Sequence, residues 1–278
     1  MILDNSEFFD LTPYEHSQIE KIKEWKKEEP GVLSKAFGIA VEPAAWLVHK
    51  VVPEAAIKGA LDLSNQLAKW LTDAENIKKE ANIVNITDLK TKDLELSDRM
   101  ADTVHNWAIG LAVAEGGGTG LLGLPGMAAD IPTIITIALR TIHKVGICYG
   151  YEPKTEEDKN FVYGIMAASG ANSVVEKITA LTYLRTIEVT LTKQTWKKMA
   201  EIASQRAISN EAALLTIKNL AKQLGINITK RKALASIPFI GAAIGGTVNG
   251  WYIKEVGWAA RHAFQERWLI DNRKIVEI

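Results

Sequence analysis

Leu96-Ser-Asp-Arg-Met-Ala-Asp-Thr-Val-His-Asn-Trp-Ala-Ile-Gly-Leu111 decides the fold class. Met100, Val104, Trp107 and Leu111 recur at intervals of three and four, the spacing of one helical face, while Asp98, Asp102 and His105 share another side. The pattern predicts a helix beginning near Leu96 or Ser97, with Trp107 and its companions on the apolar side. Upstream, residues 80–98 read as a break and restart, because Asn82, Asn85 and Thr87 favour turns.

The same periodicity extends outward in both directions. Thr12 and Pro13 mark a helix start, with Glu15 three residues after the cap, and Ile19, Ile22 and Trp25 line one face until Pro30-Gly31. An apolar stretch, 32–52, leads through Pro53 into a helix expected to run to about Lys79, with Ile57, Leu61, Ala68 and Leu71 as its stripe. Downstream, Ile134, Ala138, Ile142, Val145 and Tyr149 predict a helix from about Asp130 to Tyr149, ended by Gly150 and Pro153. Residues 155–225 read as two or three amphipathic helices, and Lys254 to the end as a charged one. Alternation at period two is scarce, with Ile226–Thr229 its nearest candidate. The expected fold is all-α: a multi-helix globular domain over 1–278, with an N-terminal helical subregion (1–95) and a core (96–278).

Composition narrows the function classes. The 278 residues carry 33 basic and 33 acidic side chains, so no global charge draws the chain to nucleic acid. One cysteine, Cys148, excludes an internal disulfide and a multi-thiolate zinc site. The first residues lack a basic segment followed by an apolar run, and an intracellular, cytoplasmic location is the expectation.

The least ordinary block is Glu115-Gly-Gly-Gly-Thr-Gly-Leu-Leu-Gly-Leu-Pro-Gly-Met-Ala-Ala-Asp-Ile-Pro132, followed by Ala138-Leu-Arg140-Thr-Ile-His143 and Tyr149-Gly-Tyr151. With the Ser97–Trp107 segment and Ile237-Pro-Phe-Ile-Gly-Ala-Ala-Ile-Gly-Gly-Thr-Val-Asn249, it resembles the EcsC family, first recognised beside the Ecs ABC transporter of bacteria. The likeness runs from the Trp25 helix to Arg267-Trp268-Leu269. It implies a helical protein in a transport or envelope context and brings no reaction, so no catalytic residues are carried over.

Residues 115–126 are expected to form a glycine-rich inter-helix loop, since so many glycines oppose a helix. Gly116, Gly117, Gly118 and Thr119, with Arg140, are its candidate ligand contacts, because exposed backbone N–H groups can cradle an anion. No Gly-Lys-Ser/Thr and no preceding strand accompany them, so neither a Walker loop nor a dinucleotide fingerprint is present. A tight packing connection explains the same glycines. Glu115, Asp130 and His143 are the catalytic candidates, as two acids and a histidine suit proton transfer or metal ligation. Asp130-Ile-Pro132 equally suits a capped helix start, and Asp130 and His143 would lie about 20 Å apart on one continuous helix at about 1.5 Å per residue. His16, His49, His105, His143 and His262 form no His-x-x-x-His pair, and Cys148 reads as a packed thiol.

From Ala233 to Ile253 no charge occurs over 21 residues. Gly241, Gly245 and Asn249 fall every fourth position, a stripe that lets helix backbones approach closely, with Trp251 at the far end as a membrane-interface or packing residue. This stretch and the apolar block 107–139 either cover each other in water or enter lipid together. The reading is therefore a protein that binds at the membrane face, peripherally or by conditional insertion at the inner membrane, as a transport accessory or lipid-responsive effector. An acid/histidine hydrolase or transferase is the alternative. Membrane lipids or a membrane transport protein are the expected partners, nucleic acid is not, self-association stays open, and the sequence does not say which cofactor, if any, is bound.

Overall fold

The computed structural model describes residues 10–29, 74–120, 123–171, 174–199 and 241–275. These are helical, without strands. In chain order they form α1 (Pro13–Lys27), α2 (Glu75–Ala81), a 3-10 turn (Ile86–Thr91), α3 (Leu94–Gly120), α4 (Gly123–Cys148), α5 (Glu156–Gly170), α6 (Val174–Met199) and α7 (Gly241–Asp271). The expected elements at 30–73 and 200–240, including Ile226–Thr229, lie outside the described residues.

Local chemistry sets the ends. In α1 the Thr12 hydroxyl accepts from the Glu15 N–H while the Glu15 carboxylate accepts from the Thr12 N–H at 2.7 Å, the reciprocal box expected from the sequence. Asn82 ends α2 in the left-handed region at φ 51°, and Asn85 caps the following turn. Of the helix expected to reach Lys79, the described part is α2, which begins at Glu75; the rest lies outside the described residues.

Three expectations are overturned. The glycine run is not a loop: α3 continues through Gly116, Gly117, Gly118, Thr119 and Gly120, and α4 resumes at Gly123. Glycine costs a helix about 1 kcal/mol per residue relative to alanine but does not forbid it, and tertiary context overrides so small a preference. Asp130 is consequently inside α4 rather than at its cap, and Pro125, in the first turn, occupies the place where a missing N–H costs little. Lastly, the charged helix expected from Lys254 is the second half of α7, which begins at Gly241 and forms the centre of the bundle, packing on α1, α3, α4, α5 and α6.

Pairings along α7 fix the layout. Asp98, Asp102, His105 and Val113 of α3 meet Gln265, Arg261, Gly257 and Gly250, so α3 and α7 run antiparallel. α4 runs back along α3, with Tyr149 on Asp98 and Arg140 on Trp107. α5 is antiparallel to α7 through Asp158–Arg267 and Phe161–Phe264, and α6 folds back on α5 with Leu184 against Gly164. The core between them holds Ile134, Leu139, Ile142, Phe161, Ile165, Val256 and Leu269.

Candidate functional site

The polar side of α3 faces inward. Asp98 is 1% exposed, and its carboxylate accepts hydrogen bonds from three residues on three other helices or their ends, with an arginine paired beside them. The Tyr14 hydroxyl donates at 2.6 Å, the Tyr149 hydroxyl donates to the other oxygen, and the Gln265 amide donates to both at 2.9 and 2.8 Å. Arg261 adds its guanidinium at 3.4 Å and also pairs with Asp102 at 2.5 Å. Gln265 passes the network on to Gln18 of α1 and to His262.

Electrostatics follow from that enclosure. Burial, then the neighbouring Asp98, raises the Tyr14 and Tyr149 hydroxyls above the ordinary tyrosine range, so both remain donors. Burial opposes the Arg261 charge, but Asp98 and Asp102 outweigh it and hold the guanidinium more firmly protonated. Burial lowers His105, and lowers His262 to about 4, so both rings are neutral near pH 7. Asp98 thus clamps α1, α3, α4 and α7 together.

The sequence placed Asp98, Asp102 and His105 on one side correctly, and Met100, Val104 and Leu111 pack toward the core as expected, but Asp98 and His105 are buried as well. Trp107, expected in the apolar interior, is 53% exposed with the Arg140 guanidinium 4.9 Å above its ring. Periodicity tells which residues share a face, not which face meets the partner, and here α7 supplies Arg261 and Gln265 to match the acids. Tyr14, Tyr149, Arg261 and Gln265 carried no local signal.

α4 is continuous from Gly123 to Cys148, so Asp130 and His143 stand about 20 Å apart along it. His143 is buried, and the side chains of Glu115, Thr119 and Asp130 lie outside the described residues. Among the described residues no group of three His, Cys, Asp or Glu could hold a metal ion. The Cys148 thiol is buried, donates to the Lys144 carbonyl at 3.3 Å, and is pushed well up by its surroundings, as suits a packed thiol. Gly241 and Gly245 lie in the first half of α7, Asn249 is fully buried, and Trp251 is half-buried against the core.

A cleft of about 280 Å³ opens at the other end of α7, lined by Lys90, Tyr151, Lys154, Thr155, Asp158 and Arg267. Its charges are already matched. Arg267 lies 4.1 Å over the Tyr151 ring and reaches Asp158 at 3.2 Å, while Asp158 also accepts from the Lys154 and Thr155 N–H groups. Burial raises Asp158, but Arg267 and those N–H groups outweigh it and hold the carboxyl below its usual range. Lys154 pairs with Glu152 at 2.8 Å. The Thr155 hydroxyl also donates to Asp158, at 3.0 Å, as part of the α5 capping box.

The feature that is not self-satisfied is apolar. Trp107, Val113, Val174, Val175 and Ile178 are exposed large hydrophobic side chains on α3 and α6. The helix pairings place Trp107 level with Val256 of α7, Val113 with Gly250, and Val174 to Ile178 with residues 251–255, so all five form a belt at one height of the bundle. On α6, the exposed Thr179 and Thr182 donate their hydroxyls to the Val175 and Ile178 carbonyls at 2.8 and 2.9 Å. This outer face is uncharged across Val174, Val175, Ile178, Thr179 and Thr182.

A sequence profile described as the EcsC protein family matches residues 16–269. A Bacillus subtilis (strain 168) relative, described as uncharacterized protein YdbA, is 23% identical over 175 residues, which cover 57% of this chain and 63% of the relative's length. No solved structure matches.

Proposed function

The chain belongs to the EcsC protein family, and on that footing we propose that it works at a membrane surface, docking on lipid through the belt of Trp107, Val113, Val174, Val175 and Ile178. The observation that carries this is the belt itself: five exposed apolar side chains on two helices, at one height of the bundle, with Lys254 among the polar residues at that level. Arg140 over Trp107 adds a cation and an amphipathic ring, the pair suited to the headgroup boundary. A role as accessory to envelope transport fits such a protein, which would bring its partner to the membrane face. The enzymatic alternative has no comparable support, because Asp130 and His143 stand far apart along α4 and the cleft's charges are paired with one another.

Flotation on vesicles of mixed zwitterionic and anionic lipid tests the proposal. The parent is expected to float, and Val175→Asp/Ile178→Asp to lose roughly tenfold or more of its partitioning, since each burial forgone is worth about 1.5–3 kcal/mol. Both residues are exposed, so the variant should melt with the parent. A parent that stays at the bottom, or a variant that floats equally, contradicts the proposal.

A further inference from the structure

Resting on that reading, the face of α3 and α4 beside Trp107 bears on the kind of lipid the belt meets. Between Thr133 and Lys144 every position of α4 is buried except Thr133, Thr136, Arg140 and Lys144, which are part-exposed at the spacing of one helical stripe. The pairs Asp98–Tyr149 and Trp107–Arg140 set α4 antiparallel to α3, so Lys144 stands level with Thr103 and Thr136 with Leu111. At these levels the exposed positions of α3, Thr103, Asn106, Trp107 and Gly110, carry no charge. Asp102 turns away to Arg261 of α7 at 2.5 Å. Glu95 and Arg99 pair with each other roughly two or three turns before Trp107, and Glu80 of α2 acts on Cys148, about two turns beyond Arg140.

Arg140 is not satisfied within the fold. Its guanidinium lies 4.9 Å from the centre of the Trp107 ring, its Nε is buried without an acceptor, and it has no ion-pair or hydrogen-bond partner among the described residues. Lys144 likewise pairs with no carboxylate among them. An arginine stacked on an indole keeps the in-plane edge of its fork for a second partner, and that edge matches the paired oxygens of a phosphate. Gly110 gives independent support. It is exposed one turn beyond Trp107, and a Cβ there would meet nothing within 4 Å, so packing does not require the glycine. Glycine is a poor helix former, and its use where the chain has room suits the close approach of a ligand to the backbone.

We propose that Arg140, with Lys144 one turn along, binds the phosphate of an anionic phospholipid headgroup against the exposed Trp107 ring, so that the belt docks on acidic in preference to zwitterionic membranes. A zwitterionic headgroup carries the same phosphate but brings its own cation, which the two basic side chains repel. An anionic headgroup brings none, and each basic side chain near such a surface adds to the attraction. The indole belongs at the same depth, since its amphipathic ring favours the boundary between headgroups and hydrocarbon. Lys254, the exposed cation of α7 at the height of the belt, stands across α3 from this pair, where His105 meets its carbonyl, and has Glu255 beside it. It is therefore the natural control.

Flotation on vesicles of phosphatidylcholine, alone and with phosphatidylglycerol added, reads the preference. The parent should partition more strongly as phosphatidylglycerol is added. Arg140→Gln should lose about fivefold or more of that gain, while its partitioning to phosphatidylcholine and its melting temperature stay close to those of the parent. Arg140→Lys keeps the charge but gives up the fork, and should recover only a minor part of the loss. Lys254→Gln should leave the gain nearly intact. Equal gains for the parent and Arg140→Gln, full rescue by Arg140→Lys, or an equal loss in Lys254→Gln would overturn this inference and leave docking through the belt standing. Inorganic phosphate is the second arm, with melting followed in the absence of vesicles. A rise in melting temperature that Arg140→Gln abolishes would assign the pair to a soluble phosphate and overturn the lipid assignment. A parent that floats on neither kind of vesicle overturns the docking itself.

Discussion

The His105 imidazole lies so close to Gly257 that a methyl group on that α-carbon would come within 2.0 Å of its Cδ2. The ring is buried, and its Nε2 donates to the Lys254 carbonyl at 3.0 Å, which fixes the tautomer because a carbonyl can only accept. Glycine at 257 is what allows α3 and α7 to meet over a polar ring.

Gly257→Ala should therefore destabilise the chain by about 1–3 kcal/mol, the usual cost of overpacking. Gly250→Ala should cost less, although its Cβ would meet Val113 at 2.4 Å, because Val113 is 45% exposed and free to change rotamer. Thermal melts of the two variants check the order; equal losses would contradict it.

Asp98→Asn should be more harmful than its shape suggests, costing about 3–5 kcal/mol, the range for breaking a buried pair. Four donors converge on the carboxylate, and an amide offers them one oxygen and turns an N–H₂ group toward the rest. Denaturant titration measures this, and a loss below that of Gly250→Ala would show that the clamp is dispensable.

Acid should loosen the fold through His262. Burial depresses its folded value from 6.5 to about 4, so its contribution is fully present above 6.5 and is lost as pH falls through 4, amounting to about 3 kcal/mol. His105, also lowered by burial, acts in the same direction. His262→Phe, which keeps a ring against Trp25 and Trp258, should flatten the fall in melting temperature between pH 6.5 and 4. An unchanged slope would assign the acid limb elsewhere.

Glu188 should act oppositely. Burial and the neighbouring Glu266 raise its carboxyl well above the usual range, despite Lys26, Arg185 and Arg267 nearby. A raised acid contributes stability below its unfolded value, and that contribution is lost as pH rises through the folded value. Glu188→Gln should hence stabilise the chain at pH 8 more than at pH 5. Melts at both values decide, and an equal effect at the two would contradict the assignment.

Much of the fold was legible because its signals are local. The Thr12–Glu15 box, the turn at Asn82 and Asn85, and the 3.6 period in α3 and α4 each depend on residues within a few positions. What could not be read depends on distant partners. Asp98 meets Gln265 from 167 positions away, so nothing near it distinguishes a clamp from a solvated acid. The glycines at 116–120 were misread for the opposite reason, as a local preference was given the force of a rule. The exposed apolar belt was not visible: Trp107 was expected inside, and the α6 part needed the fold-back of α6 on α5 to bring Val175 and Ile178 level with Trp107.

Hydrogen exchange read by mass spectrometry, with and without vesicles, tests the central claim most directly because it reports where lipid touches the chain. The account predicts added protection in residues 103–114 and 174–182, with the Tyr151–Asp158 and Arg267 region unchanged. Protection confined to that cleft, or no protection in α3 and α6 while the chain is bound, would contradict it.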